Sequence, residues 1–399
     1  MDQKYQKRLE RNLVKYAWLK IFIMRVYLPV IGVYLVMVGR LSLTEIAVIA
    51  TIATIILFIL QMPAGYLADK FGNQWALKLG SVITLTGPLW YLILPNFWGG
   101  LIGLTLYQSG QAFMGGTMEA LVHDTLVKLN REQQYIKVMG RAVSYGLIGN
   151  VVAVTLVPLT YPICQALPFL IGFATQVALF FLVRSFEYPE LPRQRAIKDP
   201  IEALHKIVTK QNVALFVFYG FLAGAAFMNG VGEYSQLRLT ELGVAVGLLG
   251  VVMASGSLLG AILGRVIFIF DQVRARAFYL FDLVLMTGCL LLMGLAPNWV
   301  VGVAAVIVFV GWTRVRGILY QSKVLVDLKH VYKATLISAL NFFANLWQMV
   351  MPLVLAWSVA TRGGSLAGGY VLFAGIAFLA GMVFWLWIWF AVRGGDSRT

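Results

Sequence analysis

Long uninterrupted apolar runs recur from Ala17 to the aromatic stretch FWLWIWFAVR at 384–393. A helix rises 1.5 Å per residue, so about 20 apolar residues cross a hydrocarbon core of ~30 Å. The runs are continuous rather than alternating, which disfavours a membrane β-barrel. They predict twelve spans: 17–39, 43–68, 76–95, 98–126, 139–160 and 163–183, then 211–233, 245–269, 276–296, 298–326, 334–359 and 366–391. Most connections are short. The exception is RSFEYPELPRQRAIKDPIEALHKIVTK at 184–210, which is polar and carries three prolines. It separates an expected six-helix bundle at 1–183 from a second at 211–399. Within it, Asp199-Pro200 reads as an N-cap followed by the first helical residue. Ile201, Leu204, Ile207 and Val208 would then share the buried face of a short helix lying on the membrane surface.

Composition fits this reading. Sixty per cent of the 399 residues are hydrophobic and 12% are charged, against roughly 25% charged in a soluble domain. The formal charge of +15 needs no nucleic acid to explain it. Most Lys and Arg fall in loops on one side of the predicted spans, while Arg40, Arg238 and Arg362 alone fall in loops on the other. By the positive-inside rule both termini are cytoplasmic. The charged start, MDQKYQKRLERNLVK, does not read as a cleavable leader. Cys164 and Cys289 lie in apolar runs and read as reduced packing residues, with no disulfide or metal site. No phosphate-binding loop of G-x-x-x-x-G-K-[ST] type is present, so ATP is not the evident energy source and an enzyme is not expected.

The stretch PAGYLADKFG at 63–72 closes span 2 with an acid–base pair between two glycines. Glycine permits a tight helix–loop–helix turn. Asp69 can accept hydrogen bonds at a neighbouring helix N-terminus, and Lys70 can face anionic lipid. A plain polar loop is the alternative. Gly65-Tyr66-Leu67-Ala68-Asp69-Lys70-Phe71-Gly72 resembles the hallmark loop of the major facilitator superfamily, G-x-L-A-D-[RK]-x-G-[RK]-[RK]. Asn73 and Gln74 stand where that family carries basic residues. The resemblance implies an all-α fold of two six-helix bundles, with Gly65, Asp69, Lys70 and Gly72 in a cytoplasmic gate. A weak internal repeat about 195 residues long places Gly65 on Gly260 and Glu119 on Arg314. The stretches GGTMEALVHDTLVKL and YIKVMGRAVS further resemble spans 4 and 5 of drug-antiporter-like members, matching Glu119, Asp124, Gly140 and Arg141. The span 5 hallmark G-x-x-x-G-P-x-x-G-G is absent, although Gly146 and Gly149 are present.

Lys20, Arg25, Arg314 and Arg316 lie inside predicted spans, where an ion costs about 2.5–3.5 kcal/mol unless paired or hydrated. Lys20 can snorkel to the surface. Arg25 is too deep to do so. In the resembled family spans 1, 4, 7 and 10 line a central cavity, which implies that Arg25 faces either substrate or Glu119. A structural Arg25–Glu119 pair is one reading; in the other, Glu119 changes protonation while Arg25 responds or binds an anion. Gln108, Gln111, Gly115, Glu119 and His123 form one stripe at helical spacing. Asp124 belongs with the gate, facing Arg141. Arg314 is the expected cavity residue of span 10, and Arg316 can reach Asp282. Ser338, Asn341, Asn345 and Gln348 form a stripe that serves either packing or a cavity wall. Asn229 and Glu233 suit an external gate. Gly256, Gly260 and Gly264 suit a helix-packing seam.

Taken together, these features lead us to expect a monomeric, multi-pass plasma-membrane transporter without cofactors. Its partners would be a small-molecule substrate, the lipid bilayer and protons. Efflux of drug-like or amphipathic solutes, transport of organic anions, and sensing without turnover are the three functions in view.

Overall fold

The computed structural model is described for residues 3–189, 232–266, 269–270, 272–327 and 333–393. The described residues contain helices and no strands. The helices are α1 (Gln3–Phe22), α2 (Leu28–Met37), α3 (Leu43–Phe71), α4 (Asn73–Leu85), α5 (Gly87–Ile93), α6 (Phe97–Lys128), α7 (Tyr135–Leu156) and α8 (Leu167–Ser185). They continue with α9 (Glu233–Glu241), α10 (Leu249–Arg265), α11 (Ala275–Leu295), α12 (Trp299–Asp327), α13 (Lys333–Ala360) and α14 (Leu366–Arg393). Among the described residues eight segments are long and apolar enough to cross a membrane, and Leu28–Met37 and Leu346–Ala360 are shorter apolar helices. The amphipathic helix expected after Asp199 and most of span 7, including Asn229, lie outside the described residues.

Local sequence explains the helix starts. Ser42 and Glu45 form a reciprocal capping box at α3: the Ser42 amide donates to Glu45 Oε2 at 2.8 Å, and the Glu45 amide to Ser42 Oγ at 3.3 Å. Asn96 caps α6 by accepting from the amides of Trp98 and Gly99. Large apolar side chains such as Ile59, Ile148, Phe181 and Leu295 remain exposed, as lipid-facing residues must.

The chain divides into two compact units, one of residues 1–41 and 52–198, the other of 42–51 and 199–399. In the first, α4 packs on α6, α1 on α7, and α8 on α4 and α5. A β-carbon on Gly80 would sit 2.9 Å from the Gly110 carbonyl oxygen; the missing side chains are what allow α4 and α6 to approach. Tyr16, Leu77, Met114, Met118, Leu121, Val122 and Leu179 form the core beside this crossing. Lipid tails are as apolar as these residues, so close packing and hydrogen bonds hold the helices together rather than exclusion from water.

In the second unit α10 packs on α12 and α14 on α11 and α13. The expected glycine seam is present at Gly256 and Gly260, whose added β-carbons would lie 2.7 Å from Val310 Cβ and Arg314 Cβ. Gly264 does not belong to it, because its nearest neighbour would be 3.9 Å away. The internal repeat does not extend to packing at Gly65, which has no atom within 4 Å of an added β-carbon while its counterpart Gly260 is tightly packed. Cys289 is buried, whereas Cys164 is exposed between α7 and α8.

Candidate functional site

The first span is not continuous. Helix α1 stops at Phe22 and α2 begins at Leu28, leaving Ile23–Tyr27 outside helical structure. Pro29, the second residue of α2, has no amide to offer the carbonyl of Arg25 and its ring excludes regular helix there. The Leu28 amide serves that carbonyl instead, at 3.0 Å. Two glutamines from other helices supply further donors at the break. Gln111 Nε2 on α6 donates to the Ile23 carbonyl at 3.3 Å, and Gln176 Nε2 on α8 to the Phe22 carbonyl at 3.3 Å. Side chains from neighbouring helices thus satisfy backbone that the interruption frees, the condition for irregular chain at membrane depth.

Arg25 sits in this interruption, its guanidinium 4.6 Å from the centre of the Tyr107 ring on α6. A cation over an aromatic face gains roughly 0.5–2 kcal/mol, most where water is excluded. One helical turn below, Gln111 faces the same break. Further along α6, Glu119 Oε1 lies 3.1 Å from Lys20 Nζ on α1. The partner that the structure gives Glu119 is therefore Lys20 and not Arg25. The reason is geometric: Lys20 lies on the last regular turn of α1, alongside α6, whereas Arg25 falls after the helix has ended. Lys20 consequently does more than snorkel. Gln108 is half-buried and Gly115 exposed on the expected stripe, and His123 is exposed at its end.

At that end, Asn73 Nδ2 donates to Asp124 Oδ2 at 3.2 Å, and His123 Nδ1 is 3.9 Å from Asp124 Oδ1. The expected Asp124–Arg141 pair is not formed; Arg141 is on an exposed face of α7 and lines a groove against α1. Asn73 contributes the contact that its position, one of the two where a basic residue was missing, gave no reason to expect. Gly72 joins α3 to α4 at φ +97°, a conformation in which any other side chain is strained. Gly65, by contrast, is exposed within α3, so the turn's special geometry rests on Gly72 alone. Lys70 approaches the Phe71 ring at 5.4 Å; the side chain of Asp69 lies outside the described ones.

In the second unit, Arg314 Nη2 donates to Ser257 Oγ at 3.3 Å across the α10–α12 seam. Arg316 is sealed against Asp282, with Nη2–Oδ2 at 2.6 Å and Nε–Oδ1 at 2.9 Å. Trp312 Nε1 and Tyr320 OH also donate to the Asp282 carboxylate, at 2.6 and 2.8 Å. Trp312 and Tyr320 were not anticipated, although their places four residues before and after Arg316 put all three on one helix face. Asn341 and Asn345 fall on α13, with side chains outside the described ones.

The sequence model of the Major Facilitator Superfamily matches residues 17–352. The chain belongs to that superfamily: it is a transporter rather than an enzyme, and a multi-pass membrane protein, for which a plasma-membrane location is consistent. No curated protein matches it in sequence. Among solved structures, it is similar to a point-mutant form of the nucleoside transporter NupG, with TM-score 0.81 and 15% identity over 94% of this chain and 99% of that one. It is also similar to a bacterial homologue of the human lysosomal transporter Spinster, with TM-score 0.67 and 14% identity over 97% and 96%. Tetrameric PepTSo2 gives TM-score 0.68 and 12% identity over 96% and 99%. At these identities the likeness concerns the fold.

Proposed function

We propose that the chain is a secondary active transporter that moves a small organic anion across the plasma membrane by alternating access. Twelve spans with both termini cytoplasmic would form bundles at 1–183 and 211–399, joined by the linker 184–210. The observation that carries the anion reading is the interrupted first span. Arg25 lies there against the Tyr107 ring and beside backbone tied by Gln111, which supports a reading in which it faces solute at membrane depth. Discontinuous helices whose broken ends face the solute are a recurrent way of building a site in secondary transporters. Arg25 and Gln111, with Gln108, would bind the substrate's charged end. Arg314, Asn341 and Asn345 are the second unit's proposed contributions.

Glu119 is the proposed proton-coupling residue. Protonation removes its attraction to Lys20, so proton and substrate binding would act on one pair of adjacent helices. Gly65, Asp69, Lys70, Gly72, Asp124 and Arg141 remain the proposed cytoplasmic gate, with Asn73 now beside Asp124. Efflux of amphipathic, drug-like compounds is a second reading, favoured by the aromatic surroundings of Arg25, which suit a solute with a hydrophobic body.

The test begins with a thermal-shift screen of purified protein against metabolites, lipids and drugs at two pH values. Compounds that bind are then followed in proteoliposomes under an imposed proton gradient. Arg25→Gln is expected to weaken transport of anions at least tenfold while sparing neutral compounds. Glu119→Gln is expected to abolish gradient-driven accumulation while leaving exchange intact. Unaltered pH dependence in Glu119→Gln would refute the coupling role. Binding without turnover in every format would instead indicate a sensor.

A further inference from the structure

The first unit carries a groove of about 1040 Å³ between α1 and α7, at the upper end of the ~300–1,000 Å³ usual for ligand pockets. Its wall is apolar: Val14, Trp18, Tyr145, Ile148 and Val152 line it and all are at least half exposed. The polar exceptions, Gln134, Lys137 and Arg141, all belong to the first part of α7 or the residue before it. The groove therefore has a basic mouth and an apolar floor. From Lys137 to Val152 is 15 residues of helix, about 22 Å, which exceeds half of the ~30 Å hydrocarbon thickness.

The mouth differs from the charged surface around it. Arg131 pairs with Glu10 at 3.0 Å and Arg8 with Glu187 at 3.5 Å. Lys15 donates to the Ser185 carbonyl, and burial together with neighbouring Arg11 holds it below the usual lysine range. Among the described residues Lys137 and Arg141 have no such partner. They stand four apart on one helix face, with β-carbons about 5–6 Å apart, a spacing that lets both reach one phosphodiester.

We infer that this groove binds an anionic phospholipid of the adjoining leaflet. Lys137 and Arg141 hold the phosphate, and an acyl chain lies along Trp18, Tyr145, Ile148 and Val152. A zwitterionic headgroup brings no net charge to match two unpaired cations. This site does not depend on the transport reading, and its test reads binding alone.

Trp18 is the reporter. The full-length protein is reconstituted in vesicles containing brominated phosphatidylglycerol or brominated phosphatidylcholine, and quenching is compared with that of Trp18→Phe to isolate this indole among the eleven tryptophans. Phosphatidylglycerol is expected to quench the Trp18 component at a lower mole fraction. Each basic residue contributes about fivefold to binding an anionic surface, so Lys137→Gln/Arg141→Gln should reduce the preference by about 25-fold. Both positions are exposed, so folding should survive. Ile148→Asn should weaken quenching by both lipids. Equal quenching by the two lipids in the unaltered protein, or a preference that persists in the double variant, would overturn the assignment. So would complete displacement by water-soluble glycerol phosphate, which would make the site one for free phosphate.

Discussion

The two units hold their interhelical ion pairs in opposite ways. In the second, Asp282 and Arg316 are 0% and 2% exposed at the side chain, and four donor contacts surround one carboxylate. In the first, Lys20 and Glu119 are 23% and 42% exposed and meet through one contact. A dry, fully satisfied pair cannot exchange partners without leaving several groups unsatisfied. An open pair with a single contact can do so at small cost. The comparison separates a sealed pair from an accessible one: Asp282–Arg316 pins α11 to α12, and Lys20–Glu119 is the pair we propose for coupling.

Breaking the sealed cluster should have the largest effect on folding. Asp282→Ala strands Arg316 in a dry site, at a cost of about 3–5 kcal/mol, and should appear as a steep loss of thermal stability in detergent. Asp282→Leu/Arg316→Met should recover only part of that loss, because Trp312 and Tyr320 still lose their acceptor; no recovery at all would mean that the ion pair is not the main source of the cost. Gln111→Leu removes the donor to the Ile23 carbonyl, expected to cost about 1–3 kcal/mol, with weakened solute binding measured on the same preparation. Lys20→Met should change stability by less than about 1 kcal/mol, yet alter the pH profile of transport by removing Glu119's partner. A destabilisation equal to that of Asp282→Ala would erase the distinction between the units. The smallest effect is expected for Asn73→Arg, which replaces a neutral donor to Asp124 with a cation. It should stabilise by about 0.2–1 kcal/mol, and salt should diminish the gain.

Much of the membrane-spanning architecture was legible because continuous apolar runs have few other solutions. The Asp282–Arg316 pair was legible too, since two otherwise isolated ions in neighbouring spans need each other. The partner of Glu119 was not. Which cation reaches it depends on where α1 ends, and the run around Arg25 is apolar on both sides, so hydropathy hides the interruption. Pro29, four residues after Arg25, was the available signal. The partner of Asp124 was misassigned for a related reason: a neutral Asn73 looked like a lost contact, while the packing that leaves Arg141 on an exposed face of α7 is not written in the charge pattern. At Gly65 the expected tight turn is not found, because the residue lies within α3 and the turn falls at Gly72.

The aromatic nest around α2 has a mechanical consequence. Tyr27 and Tyr34 are wedged against Phe169, with ring centres 5.2 and 4.4 Å apart, and Tyr27 also meets Tyr91. The stretch beyond the interruption is thereby anchored, while the stretch before it is joined to that anchor through five non-helical residues. Were the chain to bend at this joint, α1 would swing about that anchor and Lys20 would shift along Glu119, while Arg25, nearest the pivot, would travel least.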